Sequence, residues 1–358
     1  MSDTKGKVDI QKRKTLTSLA GAAAGTFLAG KAPYVFARNK VKLRILGTHV
    51  TLQEELRQKA MEDLGIELAF EAKGSAAVMQ KASMSPESFD LFEQWSNSIN
   101  VLWQSGSIQA IDTQRITHWN EINNLTKTGR ITKNAKMGAG DAPHKILHVQ
   151  DDDELGIKQT QHVSFLPYVH NVDSFGYNTN VIKKGIPYKT ESWGWLLDKK
   201  YAGKVGIVNA PTIGLFDLAL AAQAQGLVTF KDIGAISKLE LDQLFDLLIK
   251  MKKDGHFSGF WTSVPESVDF MASERVVIES MFSPAVSALN GQKIPVTYAA
   301  PKEGYRGWHG VMCLSSEIQD KQKDAAYDYM NWWLSGWPGA FIARQGYYIS
   351  NPQRSKQY

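Results

Sequence analysis

Four places in this 358-residue chain set polar or aromatic side chains where a small molecule could meet them. The first is Leu166–Asn178, where Pro167 opens a segment carrying His170, Asn171, Asp173 and Ser174 before Phe175-Gly176-Tyr177-Asn178. Asp173 could hold an ammonium group, and Ser174 beside it could donate or accept a hydrogen bond. The second is Trp95-Ser96, just beyond an apolar run. The third is Gly47-Thr48-His49-Val50, which follows an alternating segment. The fourth is Asn209-Ala210-Pro211-Thr212, where Pro211 or Ile213 opens an Ala-rich helix to Gly226. Proline suits the first helical turn, and backbone N–H groups there would welcome a carboxylate or phosphate near Thr212.

Other chemistries find little support. His144 and His148 lie four apart, a spacing that would share a face on a helix, but the segment reads as loop and strand and lacks His-Glu-x-x-His. Asp151-Asp152-Asp153-Glu154 reads as a solvated face. Cys313 is the only cysteine, between Met312 and Leu314, so no disulfide can form within the chain and a buried inert thiol is expected. Neither a Gly-x-Ser-x-Gly elbow nor a Gly-x-x-x-x-Gly-Lys loop occurs, and no enzyme activity or cofactor is expected. Tyr347-Tyr348 is a phenolate-capable pair, read as packing aromatics of the C-terminal tail.

The elements that must position these groups can be read from periodicity. Val41–Leu46 alternates as a strand. Thr51 and Glu54 have capping-box spacing before the stripe Leu52, Leu56, Ala60, Leu64, which Gly65 ends, and Ile66–Phe70 is the next strand. This β-α-β unit places the Thr48-His49 loop at a strand's carboxyl end, where open α/β sheets bind ligands. A helix over Ser75–Ser83, a strand Phe89–Phe92 and a short helix and turn from Ile99 to Ile108 follow. The Leu166–Asn178 segment reads as strand, polar turn and strand. Tyr201–Val208 is a strand. Ser237 and Glu240 cap a helix lined by Leu241, Leu244, Leu248 and Met251 and closed by Gly255. Ser267–Ala272 is helical and Val276–Ser283 a strand. Ile294–Pro301 reads as the crossing back to the first lobe, and Asp324–Leu334 is an aromatic-rich helix.

The length favours two lobes, and 43% hydrophobic with 22% charged residues suits a globular chain. The net charge of +5 falls to +1 once residues 1–37 are set aside, so nucleic acid is not an expected partner. Lys12-Arg13-Lys14, the apolar run Leu16–Gly30 and Val35-Phe36-Ala37 have the order of an export signal. The run is shorter than the roughly 20 residues of a transmembrane helix. Lys12-Arg13 and Lys31 make it twin-arginine-like, and cleavage near Ala37 would release a soluble periplasmic protein.

Several stretches in order then carry a family resemblance: Phe89-Asp90-Leu91 with Trp95; Pro167-Tyr168 through Gly176-Tyr177-Asn178; Gly203-Lys204-Val205 before the Ala-rich helix; Phe260-Trp261 with Glu274-Arg275-Val276-Val277; and Pro301-Lys302-Glu303-Gly304 leading to Trp308. The tail Trp332-Trp333-Leu334-Ser335-Gly336 and Gln345–Tyr348 agrees. The chain resembles the periplasmic solute-binding proteins of ABC importers, in the spermidine/putrescine-binding branch. The resemblance implies an α/β, two-lobed periplasmic-binding-protein fold with the ligand cleft between lobes joined by crossing strands. Residues 38–166 would begin lobe 1, 167–300 form lobe 2, and 301–358 return to lobe 1. It also implies a monomer that delivers a small solute, a polyamine or related amine, to a membrane permease. Trp95, Trp261, Phe282 and Trp308 would wall the cleft, and Thr48, His49, Ser96, Asp173, Ser174, Asn209 and His309 would supply hydrogen bonds. An exposed His309 would tie affinity to pH near neutrality. The chain departs from the family's pattern. Trp308-His309-Gly310 lacks the Asp that follows Trp by two, the helix-start Glu falls near Gly214 with Asp217 close by, and Phe282 replaces a Trp. An amino-acid derivative, a small carboxylate near Thr212 or a metal ion therefore remain open as ligands, as does a periplasmic enzyme on the same fold.

Overall fold

The computed structural model describes residues 40–140 and 142–358. The export signal expected over residues 1–37 lies outside the described residues. The chain from Lys40 to Tyr358 is a mixed α/β unit built on an 11-stranded sheet, with a second, four-stranded sheet of short strands between Ile111 and Val163. From edge to edge its main strands are Phe257–Trp261, Val205–Val208, Ile278–Met281, Leu166–Asn178, Arg306–Ser315, Leu91–Trp95, Lys42–Gly47 and Glu67–Ala72. Among the described residues no helix is long and apolar enough to cross a membrane.

The expected β-α-β unit forms. Lys42–Gly47 and Glu67–Ala72 pair in parallel around the helix Glu54–Leu64, which Gly65 ends at φ 68°. The Thr51 capping box does not form. Gln53 occupies the N-cap without a side-chain bond, and Thr51 Oγ1 instead lies 3.0 Å from the Tyr168 hydroxyl in the interior. A buried partner for Tyr168 outweighs a solvent-exposed cap. The third strand runs Leu91–Trp95, later than the sequence suggests, so Glu93 and Gln94 are buried strand residues. It is parallel to Lys42–Gly47, with Gly47 opposite Glu93, which brings the loops after both strands to one end of the sheet.

Leu166–Asn178 is a single 13-residue strand with no turn. Its first half pairs with Arg306–Ser315 and its second with Ile278–Met281 and Val296–Tyr298. Partners on both halves keep the backbone extended through the polar residues. Pro167 has no N–H to give the ladder, and the register beside it shifts between Gly310 and Val311. One hydrophobic core gathers residues such as Leu43, Phe92, Val169, Val311 and Trp333. A second gathers Phe175, Trp193, Ile207, Leu244 and Ala299, and a third gathers Trp261, Met281 and Val296. His170, Asn171 and Val172, where the first core gives way to the others, are half-buried.

Ile294–Pro301 was expected to cross back. It stays with the second half, with Val296 and Ala299 buried in its cores, and the returning strand is Arg306–Ser315. The Ser237/Glu240 capping box is complete on the helix Lys238–Lys253. Cys313 is fully buried, and burial pushes its thiol far up. His144 and His148 fall on a 3-10 turn and a short strand instead of one helical face, and no metal-holding group of three or more His, Cys, Asp or Glu exists among the described residues.

Candidate functional site

The return strand begins Arg306-Gly307-Trp308, and strand alternation sends Arg306 and Trp308 to one face. Its register puts Arg306 opposite Asp173 and Trp308 opposite Asn171. Arg306 Nε donates to Asp217 Oδ1 at 2.7 Å, and Nη2 lies 3.0 Å from Asp173 Oδ2. That second contact falls short of hydrogen-bond geometry and leaves the buried Nη2 without a hydrogen bond. Asp217 comes from the helix Pro211–Ala224, whose face carrying Gly214, Asp217 and Leu218 is buried. Asp217 is 1% exposed and Asp173 7% exposed, so the two carboxylates and one guanidinium form a nearly dry cluster.

Burial drives the electrostatics. It pushes Asp217 up to about 6 against the pull of Arg306, and it raises Asp173 although Arg306 and the Trp308 side chain favour its charged form. Burial also works against the Arg306 charge, but the two carboxylates outweigh it and hold the guanidinium above its usual range. The cluster therefore carries one negative charge in excess when both acids are ionised.

Aromatic rings adjoin it. Trp308 meets Trp95 edge-on at 4.5 Å and Tyr347 edge-on at 5.9 Å. All three are half-buried. Burial and the Asp173 charge both raise the Tyr347 phenol. Beneath, the Ser174 N–H donates to the Tyr298 hydroxyl at 2.8 Å. An excess negative charge beside aromatic faces is a setting that attracts an organic cation.

Of the residues singled out in the sequence, Trp95, Asp173 and Trp308 come together here. Thr48 is buried after the first strand, with its carbonyl accepting from Leu52, and His49 is exposed beside it. Ser96 is half-buried in the turn after Trp95. The Ser174 hydroxyl is buried and donates to Ala299 O at 2.8 Å. Asn209 and Thr212 are exposed around the start of the helix Pro211–Ala224. Trp261 is 1% exposed, with its indole N–H donating to Ser280 O at 3.0 Å, and Phe282 packs edge-on against it at 5.1 Å. His309 points to the opposite face from Trp308, where it stacks on His170 at 5.7 Å and its Nδ1 lies 2.9 Å from Thr126 Oγ1. Burial, helped by His170 and His144, takes His309 down to about 3, so it is neutral near pH 7 and the expected titration does not arise.

Sequence reading missed Arg306, Tyr298 and the part played by Tyr347, and it noted Asp217 only in passing. Arg306 carried one usable signal, its place two residues before Trp308. A groove of about 490 Å³ on the far side shares Tyr347 but is bordered by His170, Tyr348, Arg344 and Lys356, with no acid in its lining.

A sequence comparison finds no match among curated proteins. Solved structures share the architecture. The spermidine/putrescine ABC transporter substrate-binding protein of Streptococcus pneumoniae is 17% identical, with a TM-score of 0.61 over 89% of this chain and 85% of that one. An ABC transporter substrate-binding protein of Bradyrhizobium japonicum is 16% identical, with a TM-score of 0.61 over 88% and 85%. A periplasmic binding protein of Actinobacillus pleuropneumoniae, solved with fructose-6-phosphate, is 15% identical, with a TM-score of 0.57 over 88% and 86%. These likenesses establish the two-lobed periplasmic-binding-protein fold. The family model described as bacterial extracellular solute-binding protein matches residues 55–353, and the chain belongs to that family.

Proposed function

We propose that this protein is the exported solute-capturing component of an ABC importer, and that its solute is a small organic cation of the polyamine or related amine class. The lobes exchange at Val172–Ser174 on the outgoing strand and at Pro301–Arg306 on the return. The solute lies against Trp95, Trp308 and Tyr347, with its cationic group toward Asp173 and Asp217. Lobe closure over it presents the loaded form to a membrane permease. The observation that carries this reading is the dry cluster of two carboxylates and one guanidinium bordered by three aromatic rings. The substrate-binding proteins of similar fold support the transport role, although one is solved with fructose-6-phosphate, so the fold alone does not choose the ligand.

A thermal-shift screen tests it, with polyamines, monoamines, quaternary amines, amino acids, small carboxylates, sugar phosphates and metal ions. A ligand at 100 times its Kd adds about 2.7 kcal/mol of stability, which is easily read. Amines should raise the Tm. A rise with carboxylates or phosphates alone would move the site to the N-terminus of the helix Pro211–Ala224 and sink the cation reading.

A further inference from the structure

The cluster has a second property, which rests on the cation reading above. Arg306 already occupies the space between the two acids. Two carboxylates opposed by one guanidinium leave room for one further positive charge. The other deeply buried acids lie elsewhere in the fold. Glu93 is fully buried beneath the first half of the sheet, within 3.1 Å of the Tyr168 hydroxyl. Glu279 accepts from Ser267 at 2.8 Å inside the second half. Glu191 accepts from the Tyr177 hydroxyl and from Ala300 N–H. Asp90 accepts from Arg44 through its side chain and its backbone N–H. Glu93 Oε1 and Glu279 Oε2 lack a hydrogen-bond partner, but burial favours the neutral form of both acids. Among the described residues, a second ammonium at the cluster would therefore meet no third carboxylate beside Asp173 and Asp217, and an unpaired buried ammonium is strongly unfavourable.

We propose that Arg306 is a built-in cation that sets the charge of the ligand: the site takes a solute with one cationic centre, an ammonium or onium on a short apolar body, and discriminates against diamines. In this arrangement the guanidinium stands where the second end of a dication would otherwise seek its counter-charge. The Trp95, Trp308 and Tyr347 rings then receive the single cationic centre together with its apolar body. Arg306 is a specificity-determining residue, and Asp217 is the partner that holds it in place through the 2.7 Å hydrogen bond.

Titration calorimetry on the purified protein with three four-carbon probes isolates the variable. Butylamine, 1,4-diaminobutane and 4-aminobutanoate share an ammonium end and differ only at the other. Butylamine should bind at least tenfold more tightly than 1,4-diaminobutane. Equal or tighter binding of the diamine would overturn the proposal while leaving the cation reading intact. If none of the three binds, the cation reading itself fails and this one with it. Arg306→Gln removes the built-in charge and should invert the order in favour of the diamine; a folded variant that keeps the wild-type order also overturns the proposal. Should Arg306→Gln fail to fold, Asp217→Asn tests the same count from the other side. It neutralises the excess and should weaken butylamine at least tenfold, and unchanged affinity would count against the charge count.

Discussion

Arg306 and Trp308 stand two residues apart on one strand, and that spacing makes a charge and an aromatic wall neighbours. If the Trp308 ring faces a cation, Trp308→Ala removes an interaction of about 1–2 kcal/mol. The expected loss is roughly fivefold to thirtyfold in affinity, with unchanged circular dichroism and partial recovery in Trp308→Phe. Unaltered affinity would place the ligand elsewhere. The pH dependence follows from the same residues. Asp217 is held up to about 6 by burial, so acidification through that value protonates it and removes the excess negative charge. Affinity for an amine should be flat between about pH 7 and 8.5 and fall below about 6. His309 contributes nothing to this profile near neutrality, since burial keeps it neutral. A midpoint near neutrality that His309→Gln abolishes would contradict this assignment. The sequence disclosed Trp95, Asp173 and Trp308 because each type carries recognisable chemistry. It could not disclose that Asp173 answers to Arg306, because that depends on a strand register spanning more than 130 residues of chain.

At the scale of elements, local signals were read where the chain itself supplies the answer. Gly65 and Gly255 end their helices at positive φ, and Ser237 with Glu240 caps the start of the helix that Gly255 closes. The readings failed where a distant partner decides. Thr51 gave up its cap to a buried tyrosine, and a polar quartet that looked like a turn stayed extended because strands pair with it on both halves. The helix Pro211–Ala224 shows how tightly such partners fit. A Cβ at Gly214 would collide with the carbonyl oxygen of Val208, which is backbone and cannot swing aside. Gly214→Ala should therefore push the helix off its strand, carry Asp217 away from Arg306 and destabilise the protein by about 1–3 kcal/mol. Chemical denaturation would show this as a lower midpoint, and amine affinity should fall with it.

Over the whole molecule, buried acids shape stability against pH. Burial raises Glu93 to about 7 and Glu279 to about 8 from an ordinary value of 4.5. Folding thus favours their protonated forms. Their contribution is complete below about 4.5 and is lost as pH rises through about 7 and 8. His170 and His309 act in the opposite sense. Burial lowers them to about 4 and about 3 from 6.5, so their contribution is full above 6.5 and is lost as pH falls. The two pairs offset one another between about pH 4.5 and 6.5, so the Tm should be broadly level there and decline from about 6.5 toward pH 8.5, and Glu279→Gln should flatten the alkaline limb. A Tm that climbs steadily to pH 8.5 would contradict the buried-acid account. The strand Leu166–Asn178 adds a mechanical consequence. A flexible connector would let two bodies drift and fold independently, whereas an unbroken ribbon hydrogen-bonded into both behaves like a leaf spring clamped at each end. Bending must concentrate where the clamps meet, at Asp173 and Ser174, between the last pair with Arg306 and the first with Met281. A pull on either body reaches the other without slack, and neither can melt without unfastening the ribbon that the other holds.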